Sequence, residues 1–392
     1  MTYRQIALPS SLAALISLMT FAWYHDWIVI AMPALARSVA SHGPQQTSYK
    51  KKISLFFPKN GKEQQETKEM LWSDDLTINA RALTQTWAAL LDEESVVHNK
   101  VTVQSAAVTF TNDELIISFD RPPFNKDDAL HKKLELLETL LKTVRLHLPT
   151  LQKVHFLVNH QPLKDYHLDF SQPWPIQGFS ENSALTTTAT PLPSQCTIVI
   201  DPAGDARHTG RIIDETFERT ITLQCAQELK QALEQRNPYA RVMLTRMPGE
   251  TVEPLQNATF ANRLQADLFI SIHCYQETSV TPRCSLYRFS YNPATDAWYK
   301  KDERLHFVPL QLAYQNFVRQ SDALINHLQT SLRQSEHHQH CIVEQPRACP
   351  CEPLLGVHSP AVCIEMGLAK KDDWQLIIRA IAQEFTKYSL KQ

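Results

Sequence analysis

The sequence predicts an α/β protein: a C-terminal three-layer α/β/α sandwich with a largely parallel sheet, preceded by a small α+β domain and an N-terminal hydrophobic helix. Three observations lead there. From Cys196 to the C-terminus, short apolar strand-like runs alternate with amphipathic segments, which is the pattern of parallel strands joined by crossover helices. Between Tyr49 and about Gln172, strand and helix patterns follow one another more irregularly, in a stretch that contains no cysteine. Ahead of both, residues 6–23 are predominantly apolar and follow Arg4. At 392 residues the chain has length for two or three domains. The boundaries fall at 1–40, 49–172, 173–195 and 196–392.

Residues 1–40 read as an export segment. An apolar run of about 18 residues can span a bilayer, and a basic flank ahead of it favours an inside-to-outside orientation. Small residues at 34–40 resemble a cleavage site, yet the apolar region exceeds the usual signal core of about 7 to 15 residues, so an uncleaved membrane anchor is favoured. Cell-envelope localisation follows. The formal net charge of -2 supplies no basic excess, which excludes nucleic acid as the expected partner.

Within 49–172, the run KISLFFP predicts a strand over 52–58, and Ala80, Leu83, Trp87 and Leu90 at helical spacing predict a helix over 79–91. Strand-like runs follow at 101–110 and 114–119. Leu130, Leu134, Leu137, Leu141, Val144 and Leu148 then form the apolar stripe of a helix whose other face carries lysines and glutamates. Residues 154–158 and 167–170 supply closing strands. The histidines here, His167 among them, read as packing or solvated residues. Residues 173–195, rich in proline, serine and threonine without apolar period, read as a linker.

In the C-terminal half, strands are predicted at 197–200, 241–245, 268–273 and 361–365, with helices beginning near Glu218 and at 255–265, 310–332 and 374–388. Ligands of such sheets sit beyond the carboxyl ends of the strands, and Asp201, His273 and Glu365 all stand at such ends. Glu365 interrupts an apolar strand, where a buried carboxylate needs a partner or a metal. Glu218 opens a helix, with Glu215 as the alternative acid.

The motifs strand-DP-loop-ER, A-N-x-x-x-A-D-L-F-I-S-I-H and P-A-V-x-x-E-x-G, in this order, resemble the zinc-dependent N-acetylmuramoyl-L-alanine amidases. The resemblance covers about half of the chain. It implies a Zn2+ cofactor, peptidoglycan as partner, Glu218 and His273 as metal ligands and Glu365 as the catalytic glutamate. Zinc on three protein ligands keeps an open position, and a nearby carboxylate moves the proton. One ligand departs from the pattern: Gly204 stands where the family places its first histidine. His208 or Asp205 is expected to substitute, and Arg347 falls where the family places a substrate-binding arginine. Residues 49–172 similarly resemble the GerMN module, through K-I-S-L-F-F-P, T-L-L-K-T-V, V-H-F-L-V-N-H and H-L-D-F-S.

All eight cysteines lie in the C-terminal half, with Cys274 and Cys284 the first pair to test as a disulfide. The run from Glu336 to Cys341 reads as a polar loop or a second metal site. The sequence thus points to a peptidoglycan hydrolase cleaving the amide between N-acetylmuramic acid and L-alanine by zinc-activated water. The alternative is a catalytically inactive protein of the envelope that binds peptidoglycan or recruits a hydrolase.

Overall fold

A long hairpin opens the folded chain: β1 (Tyr49–Lys59) and β2 (Lys62–Trp72) pair antiparallel along their whole length in the computed structural model. Ile53, Leu55 and Phe57 point inward at the period of a strand. The structure describes residues 48–97, 99–179, 195–253, 255–292, 308–334 and 341–389, with Ser17 and Asp296 as isolated positions. The export or anchor segment at 1–40 therefore lies outside the described residues apart from Ser17, as does the run 335–340. Among the described residues no helix is long and apolar enough to cross a membrane.

Helix α1 (Leu76–Glu93) starts where the Asp75 carboxylate accepts the N–H groups of Thr77 and Ile78, and it buries Leu83, Trp87 and Leu90. A five-stranded sheet follows, made of β3 (Val103–Val108), β4 (Glu114–Phe119), β5 (Lys153–Val158), β6 (Gln161–Pro162) and β7 (Trp174–Pro175). Strands β4 and β5 are parallel, so the chain between them must cross over, and α2 (Leu130–His147) is that crossover. The six residues of its predicted stripe are all buried.

The predicted linker starts too early. Trp174 pairs with Val154 in the sheet, and Trp174, Ile176 and Phe179 are buried. Flanking prolines and the absence of a period disguised three core side chains. Residues 180–194 lie outside the described residues.

The second sheet has strand order β11-β8-β12-β16-β13-β14, with β15 also on β13. Its members in chain order are β8 (Thr197–Pro202), β11 (Arg241–Leu244), β12 (Leu268–Gln276), β13 (Arg283–Phe289), β14 (Ile342–Val343), β15 (Arg347–Cys349) and β16 (Ala361–Leu368). A small separate hairpin, β9 (Ile212–Ile213) with β10 (Thr216–Phe217), precedes α3 (Glu218–Arg236). Helices α4 (Gln256–Arg263), α5 (Val318–Gln334) and α6 (Trp374–Ser389) complete the domain. The first four strands are mutually parallel, as predicted; β13 is not anticipated and runs antiparallel to β16. Its sequence RCSLYRF alternates polar residues into the buried interior and so hides the strand.

Alternating strand residues separate two cores. Ile198, Ile270 and Ile364 pack with residues of α3, α5 and α6 on one face. On the other, Val199, Phe269 and Cys363 belong to a cluster that also contains Ala258 of α4 and Leu137, Leu168 and Trp174 of the first domain. The first domain is thus part of the third layer, and Ser48–Gln392 forms one compact unit.

Candidate metal centre and active site

Glu218 is delivered by the β9–β10 hairpin, whose turn residues Asp214 and Glu215 lie at φ 44° and 62°. Glu215 is exposed in that turn, whereas Glu218 is buried at the first position of α3. The Glu218 carboxylate is fixed on both oxygens: Oε2 accepts the Arg211 N–H at 3.0 Å and Oε1 the Cys274 N–H at 2.9 Å. Gly210 makes room for it, having φ +72° and a position at which a Cβ would lie 2.6 Å from Oε2. Only a residue without a side chain tolerates both constraints.

His273 sits on β12, paired in register with Glu365 of the neighbouring β16. It is buried, its Nδ1 lies 3.5 Å from Glu218 Oε1, and neither ring nitrogen has a hydrogen-bond partner. Buried polar atoms without partners are rare and call for an absent group.

The third member comes from the first domain. His167, Glu218 and His273 each offer a ligand atom, and these atoms lie within 4.8 Å of one another. His167 is held against the second domain by the backbone. Its carbonyl accepts from Glu352 N–H at 3.0 Å, Asp169 N–H donates to the Pro350 carbonyl at 2.7 Å, and Leu168 bridges to Cys351. Behind it, Nδ1 lies 3.2 Å from the ammonium of Lys133, which is fully buried and ion-paired with Asp165 at 2.5 Å. Burial, followed by the charge of Arg211, pushes the His167 imidazole down to about 4, so it is neutral, the form that ligates metal.

Glu365 is buried beside this group. Leu130 N–H, at the start of α2, donates to both of its oxygens at 2.9 and 3.0 Å. Arg211 Nη1 lies 3.0 Å from Oε1, and the Tyr287 hydroxyl donates to Oε2 at 3.3 Å. Burial alone would raise the Glu365 carboxyl, but Arg211, His131, His167 and the Leu130 amide outweigh it and hold the carboxyl below its usual range. Burial likewise works against Glu218, where His273, Arg211 and His167 prevail and hold it low. Arg211 also donates to the carbonyls of Cys274 and Asp128, so it braces both domains.

The charges decide what the site wants. Arg211 Nη1 faces both carboxylates, 4.0 Å from Glu218 Oε1 and 3.0 Å from Glu365 Oε1, so two buried carboxylates share one guanidinium. Such a group of acids and imidazoles, taken out of water, favours a bound cation. Two imidazole nitrogens and a carboxylate oxygen are a donor set suited to zinc.

The expected stand-ins for the first ligand lie elsewhere. Asp205 is consumed by its own loop, accepting N–H groups from Arg207, His208 and Val252, and His208 Nδ1 lies 3.3 Å from it with the ring half exposed. The loop closes on this carboxylate, and the group whose ligand atoms lie within 4.8 Å of one another is His167, Glu218 and His273, without either residue. Arg347 lies on β15, 3.8 Å from Glu135 and Glu138 of α2. Asp201 is buried and accepts hydroxyl hydrogen bonds from Thr245 and Ser271. All eight cysteines are free and buried; Cys274 neighbours Cys225, and Cys284 neighbours Cys341, so the suggested 274–284 pair is replaced by these two adjacencies. Sequence reasoning missed His167 and Arg211. The available signal was the unfilled place at Gly204, which asked for a donor from another part of the chain.

Residues 198–386 match the family described as N-acetylmuramoyl-L-alanine amidase. A stretch of 114 residues is 32% identical to the probable N-acetylmuramoyl-L-alanine amidase AmiB of Haemophilus influenzae, covering 28% of this chain and 26% of that protein. The chain thus spans about a quarter of the length of this curated relative. Among solved structures, the catalytic domain of the amidase CwlV from Bacillus (Paenibacillus) polymyxa var. colistinus is similar at 20% identity, TM-score 0.35, over 49% of this chain and 97% of that one. The amidase AmiC2 of Nostoc punctiforme is similar at 17% identity, TM-score 0.37, over 51% and 98%. The C-terminal half of the chain matches the N-acetylmuramoyl-L-alanine amidase family, and the first domain lies outside that match.

Proposed function

We propose that the chain is a peptidoglycan amidase of the cell envelope that cleaves the bond between N-acetylmuramic acid and L-alanine. In this reading zinc is held by Glu218, His273 and, in place of the imidazole lacking at Gly204, His167. The observation that supports it is the convergence of these three side chains within 4.8 Å, with both ring nitrogens of His273 unpartnered. Bound there, zinc would supply Lewis-acid polarisation of the scissile carbonyl and acidify water.

The chain's own groups supply the proton chemistry. Glu365, kept ionised by Arg211, takes the proton of the attacking water on a carboxylate oxygen and passes it to the leaving amine of L-alanine. Before it can act, an oxygen must be freed from the Leu130 N–H. Tyr287 and Arg211 then remain to orient the carboxylate. An extracytoplasmic location, attachment through 1–40 and a GerMN-type docking role for the first domain belong to the same proposal.

A second reading keeps the binding and drops the hydrolysis. It is favoured by Glu365 itself, whose oxygens are both engaged by Leu130, Arg211 and Tyr287. Two measurements on the purified chain separate the readings: zinc per chain by mass spectrometry, and release from wall sacculi of peptides with a free L-alanine amine. The amidase reading expects one zinc and a release that Glu365→Gln reduces at least about a hundredfold. Zinc-free protein, or release unchanged in Glu365→Gln, rejects it.

A further inference from the structure

The sequence places an acid two residues ahead of His167, in the run Asp165-Tyr166-His167. In the fold the Asp165 carboxylate turns back on its own chain: Oδ1 accepts the His167 backbone N–H at 3.3 Å and lies 3.6 Å from Nδ1 of the same ring. Aspartate readily bonds the backbone two residues on, and here that contact fixes the carboxylate beside the imidazole. The Asp165 side chain is 2% exposed, and it is compensated by Lys133, whose side chain is 0% exposed. Lys133 lies off the apolar stripe of α2, yet the fold buries it. Its ammonium reaches Asp165 Oδ1 at 2.8 Å, the Lys126 carbonyl at 2.8 Å and His167 Nδ1 at 3.2 Å.

A buried ion pair adds little net stability, because desolvation offsets most of its attraction, so stability alone does not account for this one. Its contact with the ring has a chemical consequence. A neutral imidazole carries one proton on two nitrogens, and an ammonium can only donate. With Lys133 against it, Nδ1 therefore accepts, the ring proton sits on Nε2, and Nε2 is the nitrogen left for the centre. To ligate, Nε2 must give up that proton and Nδ1 must carry it. The Nδ1–H group then needs an acceptor, and the Asp165 carboxylate stands beside it. Lys133 retains Asp165 Oδ2 and the Lys126 carbonyl as partners when it lets the ring go.

We infer that Asp165 is the positioning residue of the third ligand: it accepts the Nδ1 proton of His167 when Nε2 binds the cation, while Lys133 cancels its charge. The centre thereby gains an acceptor without a further net negative charge. The imidazole stays neutral throughout, since one proton leaves Nε2 and one arrives at Nδ1. Asp165, Lys133 and His167 all lie outside the family-matched residues, so the first domain brings both a ligand and the groups that aim it. The inference rests on the zinc reading of the centre for the identity of the cation.

The test compares the full wild-type chain with two double variants, Lys133→Met with Asp165→Leu and Lys133→Met with Asp165→Asn. The second returns an uncharged carbonyl acceptor. Zinc affinity is read by competition with a chelator. The leucine variant is expected to bind zinc about ten- to a hundredfold more weakly than wild type, and the asparagine variant within about threefold of it. A merely structural role of the pair would move both variants alike. Equal affinity in wild type and the leucine variant, or an equal loss in both variants, overturns the inference. A second measurement needs no change to the pair: nitrogen NMR of the zinc-loaded chain labelled in histidine, with the His167 signals identified by their loss in His167→Ala. Nδ1 is expected to carry the proton, and a proton on Nε2 overturns the inference. The two readings fail separately. Wild type that takes up no zinc, or His167→Ala that holds it as tightly, rejects the zinc reading and this inference with it. Zinc held through His167, with the leucine variant unimpaired, rejects the inference alone.

Discussion

The imidazoles of His167 and His273, contributed by different domains, meet edge to face with ring centroids 5.5 Å apart. Removing the first should therefore empty the centre although it lies outside the family-matched half. On the zinc reading, His167→Ala is expected to lose the metal on dialysis, with affinity down on the order of a hundredfold or more, because one of the three proposed protein ligands goes. Metal content per chain and an unchanged circular dichroism spectrum check it.

Restoring the family's own ligand should fail. Gly204 lies at φ +73°, and a Cβ there would come within 2.8 Å of Arg219 Cβ and 3.0 Å of the His208 carbonyl. Gly204→His is expected to lose about 1–3 kcal/mol of stability to backbone strain and crowding. In a His167→Ala background it should recover no zinc. Urea titration and metal analysis read the two outcomes.

Lys133 is a buried cation whose ammonium reaches Asp165, the Lys126 carbonyl and His167. Lys133→Met strands the Asp165 carboxylate and should cost about 3–5 kcal/mol. Removing both charges in Lys133→Met with Asp165→Leu should restore much of that loss. Denaturant midpoints of the three proteins form the double-mutant cycle that decides it.

Asp205 supplies a pH signature. Burial raises its carboxyl, but the Val252, His208 and Arg207 N–H groups outweigh burial and draw it down to about 2. Because the folded value lies below the unfolded one, this group's stabilisation is fully present above about pH 4 and is lost as pH falls toward 2. Asp205→Asn should therefore lower stability by about 1–2 kcal/mol at neutral pH and flatten the acid limb of the stability curve, while zinc stays bound. Unfolding midpoints measured from pH 2 to 7 test the sign.

What could be read from the sequence was what repeats locally. Strand ends carrying His273 and Glu365 are visible because a charged or imidazole side chain breaks an apolar run, and Glu218 because it opens an amphipathic helix. His167 has no such marker: its place opposite His273 depends on Leu168 bridging to Cys351 across two domains. Arg211 reads as an ordinary loop cation until Glu365 is seen 3.0 Å away. Separation in sequence likewise concealed where the linker begins, since the partner of Trp174 is Val154 in a strand already passed.

The apolar cluster shared by Leu168, Trp174, Phe269 and Cys363 has one further consequence. With so much greasy contact in common, both halves should melt in a single calorimetric endotherm whose van't Hoff and measured enthalpies agree. A fragment of the matched half shed by a protease would carry a naked oily face and lack His167. On the amidase reading, such a fragment is expected to hold no zinc and to release no peptide from wall sacculi.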